Sequence, residues 1–184
     1  MEIEEIKKDL SKRLSEKRYN HSLGTMKAAK ELAKIHGEHE KEAEIAGLVH
    51  DVAKELTKEQ IEAYLKKYNI IPDEIEQIQM GLLHAKLGAI IVREEYGLSE
   101  QIQKAIEYHT TGNKNMSNFA KIIYLADKIE ENRNYEGVEE FRTLAEQDLD
   151  KAMLGFLDYT IQRTIKKGHL IHPDTVELRN RLLS

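Results

Sequence analysis

Three polar residues interrupt an apolar stretch in the first third of the chain. The stretch Gly47–Leu56 reads GLVHDVAKEL and carries His50, Asp51 and Lys54. A buried polar group lowers stability unless it finds a partner, so these side chains need one. Histidine and aspartate are both metal ligands. Adjacent residues on a regular helix face each other poorly, so we expect the two ligands to reach one ion at a distorted or terminal turn.

Two residues elsewhere could complete this metal site. His21 lies in RYNHSLG, and Asp127 follows the apolar run Ile122–Ala126 in IIYLADKIEENR. An ionised carboxylate buried by such a run is costly unless a cation or strong hydrogen bonds accompany it. A metal ion shared with His50 and Asp51 would satisfy all four side chains together.

Each of these residues also has a purely structural explanation. The adjacent His-Asp pair could satisfy a helix end, and His21 could be an exposed or capping residue. Asp127 could pair with Lys121 or Arg133. The order and spacing of the residues favour the metal site over these separate explanations.

Helical periodicity runs along almost the whole sequence. Apolar residues recur at spacings of three and four, without a convincing alternating strand, which predicts an all-α fold built as a single bundle. Gly37 and Gly97 predict helix ends, Thr57 opens a capping box, and Ser117 and Asp148 are helix caps. The predicted helices span about residues 2–17, 21–36, 40–55, a short helix from 58, 73–80, a helix ending near 97, 99–108, 118–131, 148–168 and a final helix after 173.

Composition limits the class of protein. A chain of 184 residues with 40% apolar and 33% charged residues fits one domain. Cysteine is absent, which excludes disulfides and thiolate ligands. A net charge of -5 disfavours broad nucleic-acid binding. The sequence contains neither a signal segment nor an apolar run of membrane-spanning length, so we expect a cytoplasmic protein that does not associate with membranes.

The order of His21, His50-Asp51 and Asp127 resembles the HD-domain phosphohydrolases, all-helical enzymes whose H...HD...D set holds a metal. The chain further resembles the YqeK branch, the symmetrical diadenosine tetraphosphate hydrolases. This implies an HD-type domain over 18–184, with residues 1–17 as an N-terminal helix packed on it. The segments that carry the resemblance are RYNHSLGT, AGLVHDVAKEL, LLHAKLGA, AIEYHTTG, KIIYLADKIEENR, LDKAM and GHLIHPDTVELRN.

The resemblance implies a metal cofactor, iron being favoured, and a second ion could lie at His84 and His109. The sequence departs from the branch at Glu131-Asn132, where Pro-Gly is expected just before Arg133. The implied ligands of the first metal are His21, His50, Asp51 and Asp127.

The implied reaction is cleavage of diadenosine tetraphosphate at its centre into two ADP by metal-bound hydroxide. The alternatives are another HD-type nucleotide phosphohydrolase and a metal-containing nucleotide sensor. A homodimer is a further expectation, and the apolar residues of the first helix could either complete the core or form a dimer surface. The implied catalytic residues are Asp51, Lys54, His84 and His109. The implied substrate-binding residues are His21, Lys54, His84, His109, Thr110, Asp127, Arg133, Leu170, Ile171, His172, Pro173, Asp174 and Thr175.

Structural explanations stay open for these additional residues. Lys54 could be a solvated helix residue, and Arg133 could form a surface salt bridge with Glu130 or Glu136. His84 and His109 could be satisfied structural histidines.

The segment GHLIHPDT could cover a nucleobase or form an ordinary loop. In the first case His172 stacks on or hydrogen-bonds the base while Thr175 caps the last helix. In the second case Pro173 and Asp174 simply begin that helix, where proline and an acidic residue are both favourable.

Overall fold

The computed structural model describes residues 2–184, and within that range it contains eleven α-helices and no strand. The predicted all-α, single-bundle fold is therefore confirmed. None of the helices in this range is long and apolar enough to cross a membrane. The helices are α1 Ile3–Arg13, α2 Glu16–His36, α3 Glu40–Val49, α4 Lys58–Lys67, α5 Glu74–Ile78, α6 Leu83–Glu94, α7 Glu100–Tyr108, α8 Asn118–Ile129, α9 Val138–Gln147, α10 Leu149–Lys166 and α11 Pro173–Leu183, with a 3-10 turn at Met80–Leu82.

Helix α2 packs closely against α3, and this contact sets the distance between the first two predicted metal ligands. Gly47 of α3 makes the close approach possible. A Cβ atom on Gly47 would lie 2.7 Å from the Thr25 carbonyl oxygen and 2.9 Å from Met26 Cα, both backbone atoms of α2. A side chain at this position would push the two helices apart.

The hydrophobic core runs through α8 and includes α1. The run Ile122–Ala126 on α8 is fully buried and leads directly into Asp127. Ile6 and Leu10 of α1 are also fully buried and belong to the same core cluster. The apolar residues of the first helix therefore complete the core.

Most predicted helix ends are confirmed at the level of single hydrogen bonds. Gly37 ends α2 in the left-handed conformation, with φ 71°. Thr57 and Gln60 form the predicted capping box of α4. Ser117 and Asp148 accept hydrogen bonds from the first turns of α8 and α10.

Three predictions about the helices were wrong or incomplete. Helix α1 ends at Arg13, and α2 begins at Glu16 rather than after Asn20, because the Ser15 hydroxyl caps α2 by accepting from Arg18 N. Helix α3 ends at Val49, and residues 50–55 form turns. Helix α9 was not predicted at all.

Candidate metal centre and active site

Four buried histidines lie in one row across the centre of the bundle. The imidazole centroids of His21 and His50 are 5.1 Å apart, those of His50 and His109 are 5.1 Å apart, and those of His109 and His84 are 4.9 Å apart. Each residue is less than a tenth exposed. The row is assembled from α2, the end of α3, the end of α7 and the first turn of α6. Sequence reasoning selected all four residues.

Backbone carbonyls fix the orientation of three of these rings. The Nδ1 atoms of His50, His84 and His109 lie 2.7, 2.6 and 2.6 Å from the carbonyl oxygen three residues earlier. An Nδ1–H that donates to a carbonyl leaves a lone pair on Nε2 in the neutral ring. Burial lowers the pKa of His84 and lowers that of His109 to about 4, which keeps both rings neutral at pH 7.

The Asp51 carboxylate lies in the middle of the row and contacts both halves of it. Its Oδ2 atom is 2.8 Å from Arg18 Nη1 and 3.3 Å from His50 Nε2. Its Oδ1 atom is 3.2 Å from His84 Nε2 and 3.5 Å from His109 Nε2, yet this buried oxygen has no well-formed hydrogen bond. Carboxylate and imidazole lone pairs therefore face each other, and a cation between them would turn repulsion into coordination. The donor set fits a metal ion.

His21 and Asp127 converge on the same point from α2 and α8. His21 Nε2 lies 2.9 Å from Asp127 Oδ1 and 3.2 Å from His50 Nε2. Two groups bring their donor atoms within 4.8 Å of one another, namely His21 with His50 and Asp127, and His50 with Asp51 and His109. The structure thus brings together the four residues predicted to hold the first metal, together with His109 of the pair predicted for the second.

Glu130 fixes the fourth ring, and sequence reasoning treated it only as a surface partner. Its Oε1 lies 3.1 Å from His21 Nδ1, and its Oε2 accepts from Asn132 N at 2.7 Å and Asn132 Nδ2 at 3.0 Å. Burial raises the pKa of Glu130, but the hydrogen bonds from His21 and Asn132 outweigh it and hold the pKa below its usual value. Gly24 leaves room for this carboxylate, because a Cβ there would collide with it.

Cationic side chains flank both aspartates. Arg133 Nη2 lies 2.7 Å from Asp127 Oδ1, and Lys128 Nζ contacts the other oxygen. Burial raises the pKa of Asp127, but the charge of Lys128 and the hydrogen bond from His21 lower it by more. The pKa of this carboxyl group lies well below its usual value, so the group is ionised. The structural explanation that paired Asp127 with Arg133 is thus realised together with the histidine contacts. Sequence reasoning missed Arg18, whose only signal was its place one turn before a candidate ligand.

The far end of the row carries two further predicted site residues. Lys54 Nζ lies 3.1 Å from His84 Nε2, and Thr110 Oγ1 lies 3.2 Å from the Nε2 atoms of both His84 and His109. Burial lowers the pKa of Lys54. The ammonium group of this lysine is therefore directed into the cluster, although 33% of the side chain is exposed.

The predicted nucleotide-covering segment, residues 170–175, approaches this end of the row. Thr175 Oγ1 donates to the Thr111 carbonyl at 2.8 Å, next in sequence to the threonine of the cluster. Gln79 donates to the Leu170 carbonyl at 3.1 Å. Both contacts hold the segment against the helices that carry the histidine row.

One detail of that segment was predicted wrongly. His172, not Thr175, caps α11, because its Nδ1 accepts from Asp174 N at 3.2 Å. Its Nε2 lies 2.9 Å from Asp73 Oδ2, so both ring nitrogens are engaged within the protein. Pro173 occupies the first helical position, as the structural explanation of this segment expected.

Comparison with known proteins agrees with this geometry. The HD domain model matches residues 18–132, which contain the whole histidine row and both aspartates. This chain belongs to the HD-domain family. It is 43% identical to the "Bis(5'-nucleosyl)-tetraphosphatase, symmetrical" of Halalkalibacterium halodurans over 92% of this chain and 91% of that protein. It is 39% identical to the protein of the same name from Bacillus subtilis over 100% and 99% of the two chains.

A solved structure has the same fold. The crystal structure of a predicted HD superfamily hydrolase involved in NAD metabolism from Clostridium acetobutylicum superposes with a TM-score of 0.95 at 42% identity, covering 100% of this chain and 97% of that one. The resemblance to HD-domain phosphohydrolases and to their symmetrical tetraphosphatase branch is confirmed. As in other HD domains, the clustered histidines and aspartates of this HD-domain protein can hold a divalent metal.

Proposed function

We propose that this protein hydrolyses dinucleoside tetraphosphates, diadenosine tetraphosphate in particular, at the central anhydride to give two nucleoside diphosphates. The observation that carries the proposal is the Asp51 carboxylate, which contacts two imidazole nitrogens on one oxygen and two on the other. A carboxylate with metal-binding imidazoles on both sides suits a long polyphosphate chain that is cleaved at its middle. Support comes also from the relatives named symmetrical tetraphosphatases that match over nearly their full length.

The proposed cofactor is iron, held by nitrogen and oxygen donors that suit a first-row transition metal. A bound ion polarises a phosphoryl oxygen and lowers the pKa of water. A second ion is proposed between Asp51 Oδ1, His84 and His109, whose nitrogens lie 3.2 and 3.5 Å from that oxygen. The proposed ligands of the first ion are His21, His50, Asp51 and Asp127.

The surrounding side chains neutralise charge and move protons. Negative phosphate oxygens repel a nucleophile, and we assign Arg133, Lys54 and Thr110 to donate hydrogen bonds to them. Lys54 also serves as proton donor to the departing ADP, since burial lowers its pKa and eases loss of the proton. Asp51 accepts a hydrogen bond from the attacking water and orients it. The water oxygen bonds to one central phosphorus and loses its proton to solvent, while the bridging P–O bond breaks and the bridging oxygen leaves on the second nucleoside diphosphate, which Lys54 protonates.

The remaining assignments concern larger segments. We propose that residues 170–175 cover the nucleotide, supported by their contacts with Thr111 and Gln79. We propose that residues 18–184 carry the activity, since the family match begins at residue 18, and that the N-terminal helix within residues 1–17, α1, packs on this domain. Met1 lies outside the described residues. The cytoplasmic location, the homodimer and the lack of nucleic-acid binding stay predictions.

The test is incubation of the metal-loaded protein with diadenosine tetraphosphate, followed by chromatography of the nucleotides. ADP as the sole product is the expected result. AMP with ATP would contradict central cleavage, and no turnover despite bound metal would favour a sensor.

Substitutions at the centre connect turnover to the site. We expect His50→Ala and Asp51→Ala to lower kcat by more than about 100-fold, since even outer partners of metal ligands change activity by about 10–100-fold. His39→Ala is the matched control, because His39 is exposed and its side chain makes no capping bond. Circular dichroism establishes that each variant is folded.

A further inference from the structure

A groove opens at the His21 end of the histidine row, on the side of the cluster away from Lys54. It encloses about 300 Å³. None of the predicted substrate residues except His21, Asp127 and Arg133 lies at this end, and four of the groove residues had no assigned role. The lining consists of three cationic residues, one carboxylate and three neutral polar residues, namely Lys17, Arg18 and Arg133, then Glu130, then Asn20, His21 and Asn132.

The groove is positively charged although the chain is acidic overall, with a net charge of -5. Lys17 is exposed and forms no salt bridge among residues 2–184. Arg18 binds Asp51 through Nη1 alone, and its side chain is 29% exposed. Arg133 is 36% exposed beside it. Guanidinium groups in such positions suit paired phosphate oxygens.

Imidazole and cationic side chains surround both oxygens of Asp51, so the two ends of the histidine row are chemically similar. Oδ2 faces Arg18 and His50, whereas Oδ1 faces His84 and His109, with Lys54 4.0 Å away. A substrate cleaved at its central anhydride has two phosphates and a nucleoside on each side of the reacting bond. The site therefore needs a second binding position, for the nucleoside diphosphate half that does not lie against Lys54.

We propose that this groove binds the second nucleoside diphosphate half of the dinucleoside tetraphosphate. The proposal rests on the proposed function and extends it. Arg18 and Arg133 contact the phosphate next to the cleaved bond, because both reach the aspartates of the cluster. Lys17 binds the outer phosphate. The side chains of Asn20 and Asn132 offer donors and acceptors to the ribose or the base.

The test uses two groove residues that do not contact the metal cluster. In the metal-loaded protein, Lys17→Glu and Asn20→Ala are expected to raise KM for diadenosine tetraphosphate, by about tenfold for the charge reversal, while kcat changes less than about twofold. Lys34→Glu is the matched control, because Lys34 is exposed on the same helix outside the groove.

The outcomes separate this proposal from the proposed function. A wild-type protein that produces no ADP from the tetraphosphate overturns the proposed function. A wild-type protein that does so, with KM unchanged in Lys17→Glu and Asn20→Ala, overturns the groove alone. An equal increase of KM in Lys17→Glu and Lys34→Glu also overturns it, because a general charge effect would then explain the result.

Discussion

At the scale of single residues, the site depends on which ring nitrogen faces the cluster. Three histidines donate Nδ1–H to a backbone carbonyl, whereas His21 faces the ionised carboxylate of Glu130. Burial lowers the pKa of His21, but Asp127 and Glu130 outweigh it and raise the pKa above its usual value. A carboxylate behind a ligating imidazole makes the ring a better donor to metal. Glu130 would thus position His21 as a ligand of the proposed first ion.

This arrangement predicts the effect of neutralising Glu130. We expect Glu130→Gln to weaken metal affinity by about 10–100-fold, the usual cost of losing such an outer partner. Asn132→Gly, which removes only the 3.0 Å side-chain bond and keeps the backbone donor, is expected to weaken it less than tenfold. Calorimetric titration of the metal-free proteins with Mn²⁺ measures both values. Wild-type affinity in Glu130→Gln would show that the carboxylate has no role in binding.

At the scale of the helices, glycine determines how closely α3 approaches α2. Gly47→Ala is expected to lower the free energy of unfolding by about 1–3 kcal/mol, because the new Cβ meets backbone atoms that cannot turn aside. Gly155→Ala on α10 is the control, since its Cβ would lie 3.4 Å from Phe141 Cε1, an ordinary contact. That substitution is expected to stabilise by up to about 1 kcal/mol through helix propensity. Urea denaturation measures both, and equal effects would contradict the close helix contact.

Local signals explain which helices could be predicted from the sequence. The caps at Thr57, Ser117 and Asp148 are side-chain hydrogen bonds within one turn, so the residues beside them suffice to predict the helix starts. Helix α9 begins at Val138, and its N-cap residue is Gly137, which has φ 87° and offers no side-chain cap. Without that signal, the amphipathic residues that follow were not recognised as a helix.

The residues of the candidate site likewise fall into two groups, those that could be predicted from the sequence and those that could not. His50, Asp51 and Asp127 were found because polar residues in apolar runs need a partner. His21 was a candidate to complete their site, and the resemblance to HD-domain enzymes implied His84 and His109. Arg18 and Glu130 could not be found in this way, because each acts through a residue on another element, and Asn132 acts only through Glu130. Arg18 of α2 reaches Asp51 after α3, and Glu130 after α8 reaches His21 of α2. The pairs Arg18–Asp51 and Glu130–His21 form only because α2 packs between α3 and α8.

At the scale of the whole molecule, the metal site joins helices that are distant in sequence. The proposed ligands come from α2, the end of α3 and α8, which pack on one another around the core. Ionised carboxylates in this cluster are buried, and their mutual repulsion opposes folding unless positive charge offsets it. Arginine and lysine supply part of that charge from the rim. An ion at the centre would act on all three helices together.

Metal binding should therefore raise the stability of the entire bundle. An ion that binds only the folded state at 100 times its Kd adds about 2.7 kcal/mol, which for a chain of this size corresponds to an increase in Tm of roughly 5–10 °C. The increase is expected when Mn²⁺ is added to chelator-treated wild type and His39→Ala, and not in His50→Ala. Differential scanning calorimetry measures it. A His50→Ala protein that gains as much as wild type would place the ion elsewhere, because loss of a central ligand cannot leave binding at this cluster intact.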